Sequence, residues 1–521
     1  MLLKEKVRES VDAVIDEKFG IKIDNVDVSY PDNPSFGDYT TTVAFRVSKI
    51  LKDKGYKLPD VSSKIVEGLK EKLKEEFSEI NFLNGGFINL KLSKEYLSRL
   101  IRDISEDEEY GRSDFGKGKG KILLEYVSAN PTGPLHIGHA RWASIGDSLY
   151  RAFITSGYDI KSEFYINDAG NQVTLLRESV EAVRQDKEIP ENGYHGEYIY
   201  ELAKTNEDPV KVILEWQKED LAMFDVHFDN WFSEKSLHDS GYVNDTFNLL
   251  KEKGLVYEKD GAWWFKSTLF GDDKDRVVKR SNGEYTYFGV DIAYHRNKIE
   301  RGFDRLINIW GADHHGYVKR LASALSSINS NVKFEVVIGQ MVSLYRNGEP
   351  VRMSKRTGDI ITLREVLDEV GKDVLRYYLV SKKVDTHIDF DIEEAKKQSE
   401  DNPVYYLQYA HARISGILRN SQNLPSIEYS KDIIDTSESE EIARKLAKFP
   451  EEIVDITLSL EPQRMTTYLL DLASLFHKFY SKHRVIDSGR VHEGRRILVK
   501  AVKNVLKKGL WIIGVDAPDV M

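Results

Sequence analysis

The chain has no cysteine in its 521 residues. A disulfide framework and a thiolate zinc site are both excluded by that absence. No run of about 18 apolar residues occurs, so no membrane span is expected. The first residues, Met1-Leu2-Leu3-Lys4-Glu5-Lys6, lack the apolar core of a secretory signal and turn charged at once. A cytoplasmic location fits. An excess of basic residues is missing too. Lys and Arg number 75 against 85 Asp and Glu, a net charge of −10. That balance argues against indiscriminate nucleic-acid binding, which depends on basic surface. A polyanionic partner would need a local patch. Residues 471–510 supply one, with ten Lys and Arg against three acids, a local +7. Charge alone favours a solvated helix face there.

Charged residues make up 31% and the hydrophobic set 41%, a globular mix. The length suggests about three domains of roughly 100–200 residues each. Residues 1–112 read as a separate α+β domain. Val7, Val11, Val14 and Ile15 fall on one helical face, the cluster of Pro, Asn, Ser and Gly over 31–38 is turn chemistry, and Phe87-Ile88-Asn89-Leu90-Lys91-Leu92 alternates as a strand. Gly116-Lys117-Gly118-Lys119-Gly120-Lys121 reads as a flexible basic linker and not a P-loop, since no Gly-Lys-Ser/Thr follows at the required spacing. Strands and helices then alternate over 113–394, as in a doubly wound α/β domain with a parallel sheet. A charged helical insertion interrupts them at about 173–285. Residues 342–354 read as a hairpin with Asn347-Gly348 as its turn. Residues 395–521 are helical throughout.

The most informative stretch is Ser128-Ala129-Asn130-Pro131-Thr132-Gly133-Pro134-Leu135-His136-Ile137-Gly138-His139. It follows an apolar run and precedes an amphipathic one, which predicts strand, turn and helix. A helix N-terminus carries unpaired N–H groups and the positive end of a dipole, and so suits a phosphate. His136 and His139 can add imidazole donors, and Gly138 leaves room for a flat base on the backbone. Far downstream, Val351-Arg352-Met353-Ser354-Lys355-Arg356-Thr357-Gly358-Asp359 follows the hairpin. Small and basic residues in that position suggest a loop closing over phosphates, with Lys355 a compact point charge.

Candidates for a substrate-reading pocket are Glu125, in the strand just before the first motif, and Tyr287 and Asp291, spaced i, i+4 on one face if that segment is helical. A carboxylate at position 125 would be largely buried and would want a cationic partner or strong hydrogen bonds. An internal salt bridge accounts for it equally well. A structural hydrogen bond is the plainer reading of Tyr287 and Asp291. His314 and His315 could suggest zinc, but adjacent residues rarely reach one ion together.

His136-Ile137-Gly138-His139 matches the HIGH signature of class I aminoacyl-tRNA synthetases, and the string 128–141 resembles its arginyl-tRNA synthetase form. Met353-Ser354-Lys355-Arg356 resembles the KMSKS loop, with Arg352 in place of the first Lys and Arg356 in place of the last Ser. The segments at 125–130, 165–172, 272–277, 285–294, 311–316 and 402–413 also resemble that family, as does the end Gly514-Val515-Asp516-Ala517-Pro518-Asp519-Val520-Met521.

The resemblance implies a Rossmann-like catalytic domain between an N-terminal α+β domain that contacts the tRNA elbow and an all-α anticodon-binding domain. It implies arginine–tRNA ligase activity, with ATP and its Mg²⁺ as substrate complex and no metal resident in the protein. His136, His139 and Lys355 would be catalytic. Gly138, Gly311, Asp313, Met353 and Ser354 would join them around ATP. Glu125, Ser128, Asn130, His139, Tyr287 and Asp291 would hold arginine. Phe36, Asp38 and Tyr39, with Tyr405, Tyr409, Arg413, Arg484 and Arg495, would meet tRNA(Arg). The family is mostly monomeric and usually needs bound tRNA before it activates its amino acid. Another class I specificity and a tRNA-binding paralogue without catalysis are the alternatives.

Overall fold

A computed structural model describes residues 2–83, 86–351, 361–399, 401–428 and 431–521. The expected N-terminal helix spans Leu3–Phe19 and buries Val7, Val11, Val14 and Ile15. It lies on the Leu58–Lys72 helix beside a three-stranded antiparallel sheet. In that sheet Phe87–Leu92 is flanked by Tyr39–Thr41 and Phe77–Leu83. Residues 116–121 differ from expectation. Residues 116–119 form hydrogen-bonded turns, with Gly116 N–H donating to Ser156 O at 2.8 Å and Lys119 N–H to Gly116 O at 3.1 Å, and Lys121 already opens a strand.

The centre of the protein is a five-stranded parallel sheet. Its spatial order is Lys333–Gly339, Arg305–Gly311, Lys121–Glu125, Asp159–Ile166, Asn230–Ser233. The chain leaves Lys121–Glu125 toward one edge and later returns on the other side of the same strand. The strand order therefore reverses between Lys121–Glu125 and Arg305–Gly311. In open α/β sheets ligands bind at the carboxyl ends of the strands at such a switch point.

The insertion is less helical than its charge pattern suggests. Asn230–Ser233 joins the central sheet as an edge strand, and Val256–Lys259, Ala262–Phe265 and Arg276–Lys279 form an antiparallel sheet of their own. Each of these strands has four residues, too few to register against helical periodicity. The hairpin pairs Val342–Arg346 with Glu349–Pro350, and its turn takes φ 52° at Asn347 and 79° at Gly348.

Beyond Asn402 the helices Pro403–Ser421, Ser437–Ala447, Phe449–Ser459, Gln463–Lys482 and Glu493–Ile512 pack around a core of Leu407, Leu446, Leu469, Phe476 and Val502. The local +7 does not survive as an open basic surface. Lys500, Lys507 and Lys508 pair with Glu106, Glu108 and Glu109, Lys482 with Glu438, and Arg495 with Asp435. Acids distant in sequence meet those bases in the fold. No helix among the described residues is long and apolar enough to cross a membrane.

Candidate active site

The turn after Lys121–Glu125 opens with a strained step. Val127 and Ser128 take φ of 67° and 41°, and Ser128 N–H donates back to Tyr126 O at 2.9 Å. Positive φ at a β-branched residue is uncommon and persists only where the surroundings impose it. Here the reversal lifts the chain off the sheet and aims residues 128–130 across the strand ends. From the insertion, Gln217 Nε2 braces the turn by donating to Asn130 O at 3.1 Å and Gly133 O at 3.0 Å. Tyr198 Oη donates to Thr132 O at 3.1 Å.

The helix Ile137–Thr155 starts with His136 as N-cap. His136 Nδ1 accepts the Gly138 N–H at 3.1 Å, and His139 Nδ1 accepts the His136 N–H at 3.2 Å. The two rings stack with centroids 3.8 Å apart. A neutral imidazole that accepts at Nδ1 carries its proton on Nε2, so the capping bonds define both Nε2 atoms as donors. A Cβ at position 138 would come within 3.0 Å of the His136 ring, so glycine is what admits this arrangement. One turn into the helix, fully buried Arg141 donates to the carbonyls of Gln340, Lys383 and Thr386 at 2.7, 3.0 and 2.7 Å. It thereby ties the helix to the loop bearing Met341.

A cavity of about 450 Å³ opens at the switch point. Its wall includes Glu125, Ser128, Asn130, His139, Tyr287 and Asp291, and further along Gly311, Asp313 and His314. The structure therefore brings together every expected arginine-side residue and several expected nucleotide-side residues. His315 is exposed and not part of this wall. Arg352, Met353, Ser354, Lys355 and Arg356 lie outside the described residues. On either side of that stretch, Val351 N–H donates to Leu344 O at 2.8 Å, and Thr362 bridges antiparallel to His136.

Tyr287 and Asp291 do share a helix, Tyr287–Glu300, one turn apart. Tyr287 stands 55% exposed at the rim, its ring 5.7 Å from that of Tyr317. Asp291 is buried, and its Oδ2 accepts from the Tyr317 hydroxyl at 2.7 Å. Burial pushes its carboxyl up to about 7, with the charge of Glu125 adding to the effect. Burial holds the ring of His295 well below the usual imidazole range. His295 is thus neutral, with Nδ1 3.0 Å from Asp291 O and Nε2 3.2 Å from Asn308 Nδ2.

Glu125 takes the internal salt bridge. The fully buried ammonium of Lys298 donates to its Oε2, the Asn308 amide donates to the same oxygen at 3.2 Å, and Ser128 Oγ donates to Oε1 at 3.0 Å. Ser128 Oγ also accepts from Tyr165 N–H at 3.1 Å. Asn130 bonds to Gln172 at 2.8 Å and Asn167 at 3.2 Å. Sequence reasoning missed Lys298, Asn308, Tyr317 and Arg141. A signal was available for the first, since Asp291 and Lys298 are seven residues apart and so share a face of one helix.

The outer expectations divide. Phe36 is exposed, whereas Asp38 and Tyr39, expected to face RNA, are buried. Asp38 pairs with Arg444 and accepts Leu92 N–H at 2.8 Å, and Tyr39 Oη donates to Glu451 Oε1 at 3.0 Å. Both residues thereby dock the N-terminal domain onto the C-terminal helices. Arg495 is spent on Asp435 at 2.7 Å, while Arg484 is exposed. Tyr405, Tyr409, Arg413, His477 and Tyr480 line a second cavity of about 770 Å³. There Arg413 lies 4.5 Å over the Tyr480 ring, and burial lowers His477 to about 4. Among the described residues, no group of three or more His, Asp or Glu is disposed to hold a metal ion.

Comparison with known proteins gives a consistent picture. Residues 1–92 match the model of the arginyl tRNA synthetase N-terminal domain. Residues 104–215 and 197–399 match the class I (R) tRNA synthetase catalytic domain, and 407–521 the DALR anticodon binding domain. The arginine–tRNA ligase of Aquifex aeolicus is 42% identical, with 100% of each chain covered. That of Geobacillus thermodenitrificans is 41% identical, covering 100% of this chain and 98% of the relative. The Thermus thermophilus arginyl-tRNA synthetase structure superposes with a TM-score of 0.78 at 21% identity over 100% of both chains, a likeness of fold.

Proposed function

The chain belongs to the arginyl-tRNA synthetase family, and on that premise we propose that it is an arginine–tRNA ligase whose reaction takes place in the switch-point cavity. One observation carries the reading. The same cavity is lined by the His139 ring of the helix N-terminus and by the buried carboxylate of Asp291 with Tyr287 one turn before it. A guanidinium is planar, delocalised and less strongly hydrated than an ammonium, so a desolvated carboxylate beside aromatic rings suits it.

In the first step an arginine carboxylate oxygen attacks the α-phosphorus of ATP, and the bond to the β-phosphate bridging oxygen breaks. Arginyl-adenylate forms and pyrophosphate leaves. No covalent enzyme intermediate is needed, so the protein works by positioning and by charge stabilisation. The Nε2–H groups of His136 and His139 donate to phosphate oxygens, and Lys355 neutralises the departing pyrophosphate. Gly138 gives the adenine a flat seat, Gly311 and Asp313 flank the nucleotide, and Met353 and Ser354 carry Lys355 in. Mg²⁺ arrives on the ATP phosphates as part of the substrate. Ser128 and Asn130 lie toward the arginine α-groups. In the second step the 2′-hydroxyl of the terminal tRNA adenosine attacks the carbonyl carbon, and AMP leaves.

The division 1–112, 113–394 and 395–521 would then separate tRNA-elbow binding, catalysis and anticodon binding. Phe36 supplies an exposed contact on the first, and on the last the exposed Arg413 and Arg484 do so with the half-buried rings of Tyr405 and Tyr409. Asp38, Tyr39 and Arg495 act on the RNA only through the docking of domains and helices. We take the protein as a cytoplasmic monomer. Incubation with ATP, labelled arginine and tRNA transcripts tests the reading. It predicts label ester-linked to the 3′ end of tRNA(Arg) alone. Label on another tRNA, or none, would reject it.

A further inference from the structure

Among the described residues, fully buried Arg141 bonds only to main-chain carbonyls. Nη1 donates to Gln340 O at 2.7 Å and Met341 O at 3.3 Å. Nη2 donates to Lys383 O at 3.0 Å and Thr386 O at 2.7 Å, and Nε finds no partner. Burial lowers the guanidinium to about 10 against the opposing charge of Asp385, so it is still a cation at neutral pH. A buried cation without a paired carboxylate is costly to desolvate, and an apolar side chain would fill the same space more cheaply. What a guanidinium alone supplies there is a rigid planar fork that bonds two chain segments at once.

Those two segments form the root of the downstream hairpin. Gln340 N–H donates to Val384 O at 2.9 Å and Ile388 N–H to Met341 O at 3.4 Å. Val342–Arg346 then runs parallel to Ile388–Asp391. Residues 339–341 reach this root from the edge strand of the central sheet, where Gly339 stands in register with Gly311. Trp142, next to Arg141 on the helix, holds the same stretch. A Cβ at position 339 would stand 2.0 Å from the Trp142 ring, so the indole packs directly on that backbone. His139, Trp142, Gly311 and Met341 are all cavity wall, whereas Arg141 is not.

We propose that Arg141 is a positioning residue for ATP: its guanidinium fixes the Gln340–Met341 backbone relative to the helix that carries His139, and so sets the shape of the nucleotide side of the cavity. The proposal rests on the reading that ATP occupies the cavity beside His139 and Gly311. Arg141 touches no substrate and acts through the wall it holds. Glu125, Tyr287 and Asp291 stand on other elements, and none of them bonds to Arg141 or to residues 339–341. A wall displaced by an ångström misplaces the nucleotide and leaves the arginine contacts in place.

The test is ATP–pyrophosphate exchange by the full-length protein with tRNA(Arg) present, varying ATP and arginine in turn. Arg141→Met lowers kcat/KM for ATP by about a hundredfold, with a raised KM for ATP and an unchanged KM for arginine. Arg141→Lys keeps the charge but cannot bond both carbonyl pairs, so its KM for ATP stays raised as well. Gly339→Ala keeps Arg141 and forces the same backbone off the Trp142 ring. It gives the same split between the two KM values, and it carries the test if the Arg141 variants do not fold. A residue that only stabilised the fold would lower the thermal melt and the active fraction and leave both KM values alone. Unchanged KM values, a KM for arginine that rises in step with that for ATP, or full rescue by lysine overturns the proposal. Failure of the wild-type protein to exchange with arginine overturns the functional reading, and the proposal with it.

Discussion

His136 is joined to Thr362 by an antiparallel bridge, and beside it Leu363 N–H donates to Leu135 O at 2.7 Å. The backbone of the first motif thus anchors the chain just after residues 352–360. Lys355 itself lies outside the described residues and precedes Thr362 by seven positions in the sequence. Lys355→Ala is expected to lower the rate of arginine activation by about 10²–10³, the loss seen on removing one preorganised electrostatic contact. Its thermal melt should match that of the wild type. Pyrophosphate exchange at saturating arginine and ATP checks this, and a wild-type rate would remove Lys355 from the chemistry.

Asp291 titrates near neutrality because it is buried, and that gives its substitution a signed pH dependence. The groups facing it are the hydroxyls of Tyr317 and Tyr287, the carboxylates of Glu125 and Glu234, and the ammonium of Lys298. Its folded pKa is raised to about 7, so the folded state holds the proton more tightly than the unfolded chain. The stabilisation from that proton is present at low pH and is lost as pH rises toward 7. Asp291→Asn should therefore stabilise the unliganded protein at pH 8 by on the order of 2–4 kcal/mol, with no gain at pH 4. Urea melts at the two pH values measure this. Arginine needs the ionised carboxylate, so the wild-type KM for arginine should rise below pH 7, by at most about tenfold per unit, while the KM for ATP stays flat. A flat arginine profile would take Asp291 out of the binding site.

Arg444 and Asp38 fasten the first domain to the last. Asp38 is nearly fully buried, and Arg444 also bonds Glu440 at 2.7 Å and Leu92 O at 3.3 Å. Arg444→Met leaves a buried carboxylate without its cation and should cost about 3 kcal/mol, read from denaturant unfolding. Arg444→Met combined with Asp38→Asn should recover much of that loss. Equal destabilisation in the single and double variants would show that the pair does not act as a unit.

Tyr409 stacks parallel to Tyr405 with centroids 6.3 Å apart and lies under Arg413 at 5.7 Å, in the cavity of the helical domain. Stacking of a base on such a ring is worth about 1–3 kcal/mol. Tyr409→Ala should raise the KM for tRNA(Arg) roughly tenfold and leave the KM values for arginine and ATP unchanged. An unaltered tRNA KM would show that the RNA bypasses this cavity.

What the sequence made legible was local. A strand, a Gly- and Pro-rich turn and a helix placed His136 and His139 at a helix N-terminus, because short-range backbone chemistry decides such corners. The i, i+4 spacing of Tyr287 and Asp291 marked one helical face for the same reason. What it concealed was long-range. Glu125 and Lys298 are 173 residues apart, and nothing in either neighbourhood names the other. Asp38, Tyr39 and Arg495 look available as side chains but are consumed when domains and helices dock. The basic run near the end is balanced by Glu106, Glu108 and Glu109, nearly four hundred residues earlier in the chain.

In the proposed reading one cavity selects arginine beside Asp291 and activates it beside His139. ATP–pyrophosphate exchange with each of the twenty amino acids, with and without tRNA(Arg), tests it most directly. The predicted result is exchange with arginine alone, lost in Asp291→Ala at ordinary arginine concentrations and partly restored by raising arginine. Exchange driven by another amino acid, or arginine-dependent exchange indifferent to Asp291, would contradict it.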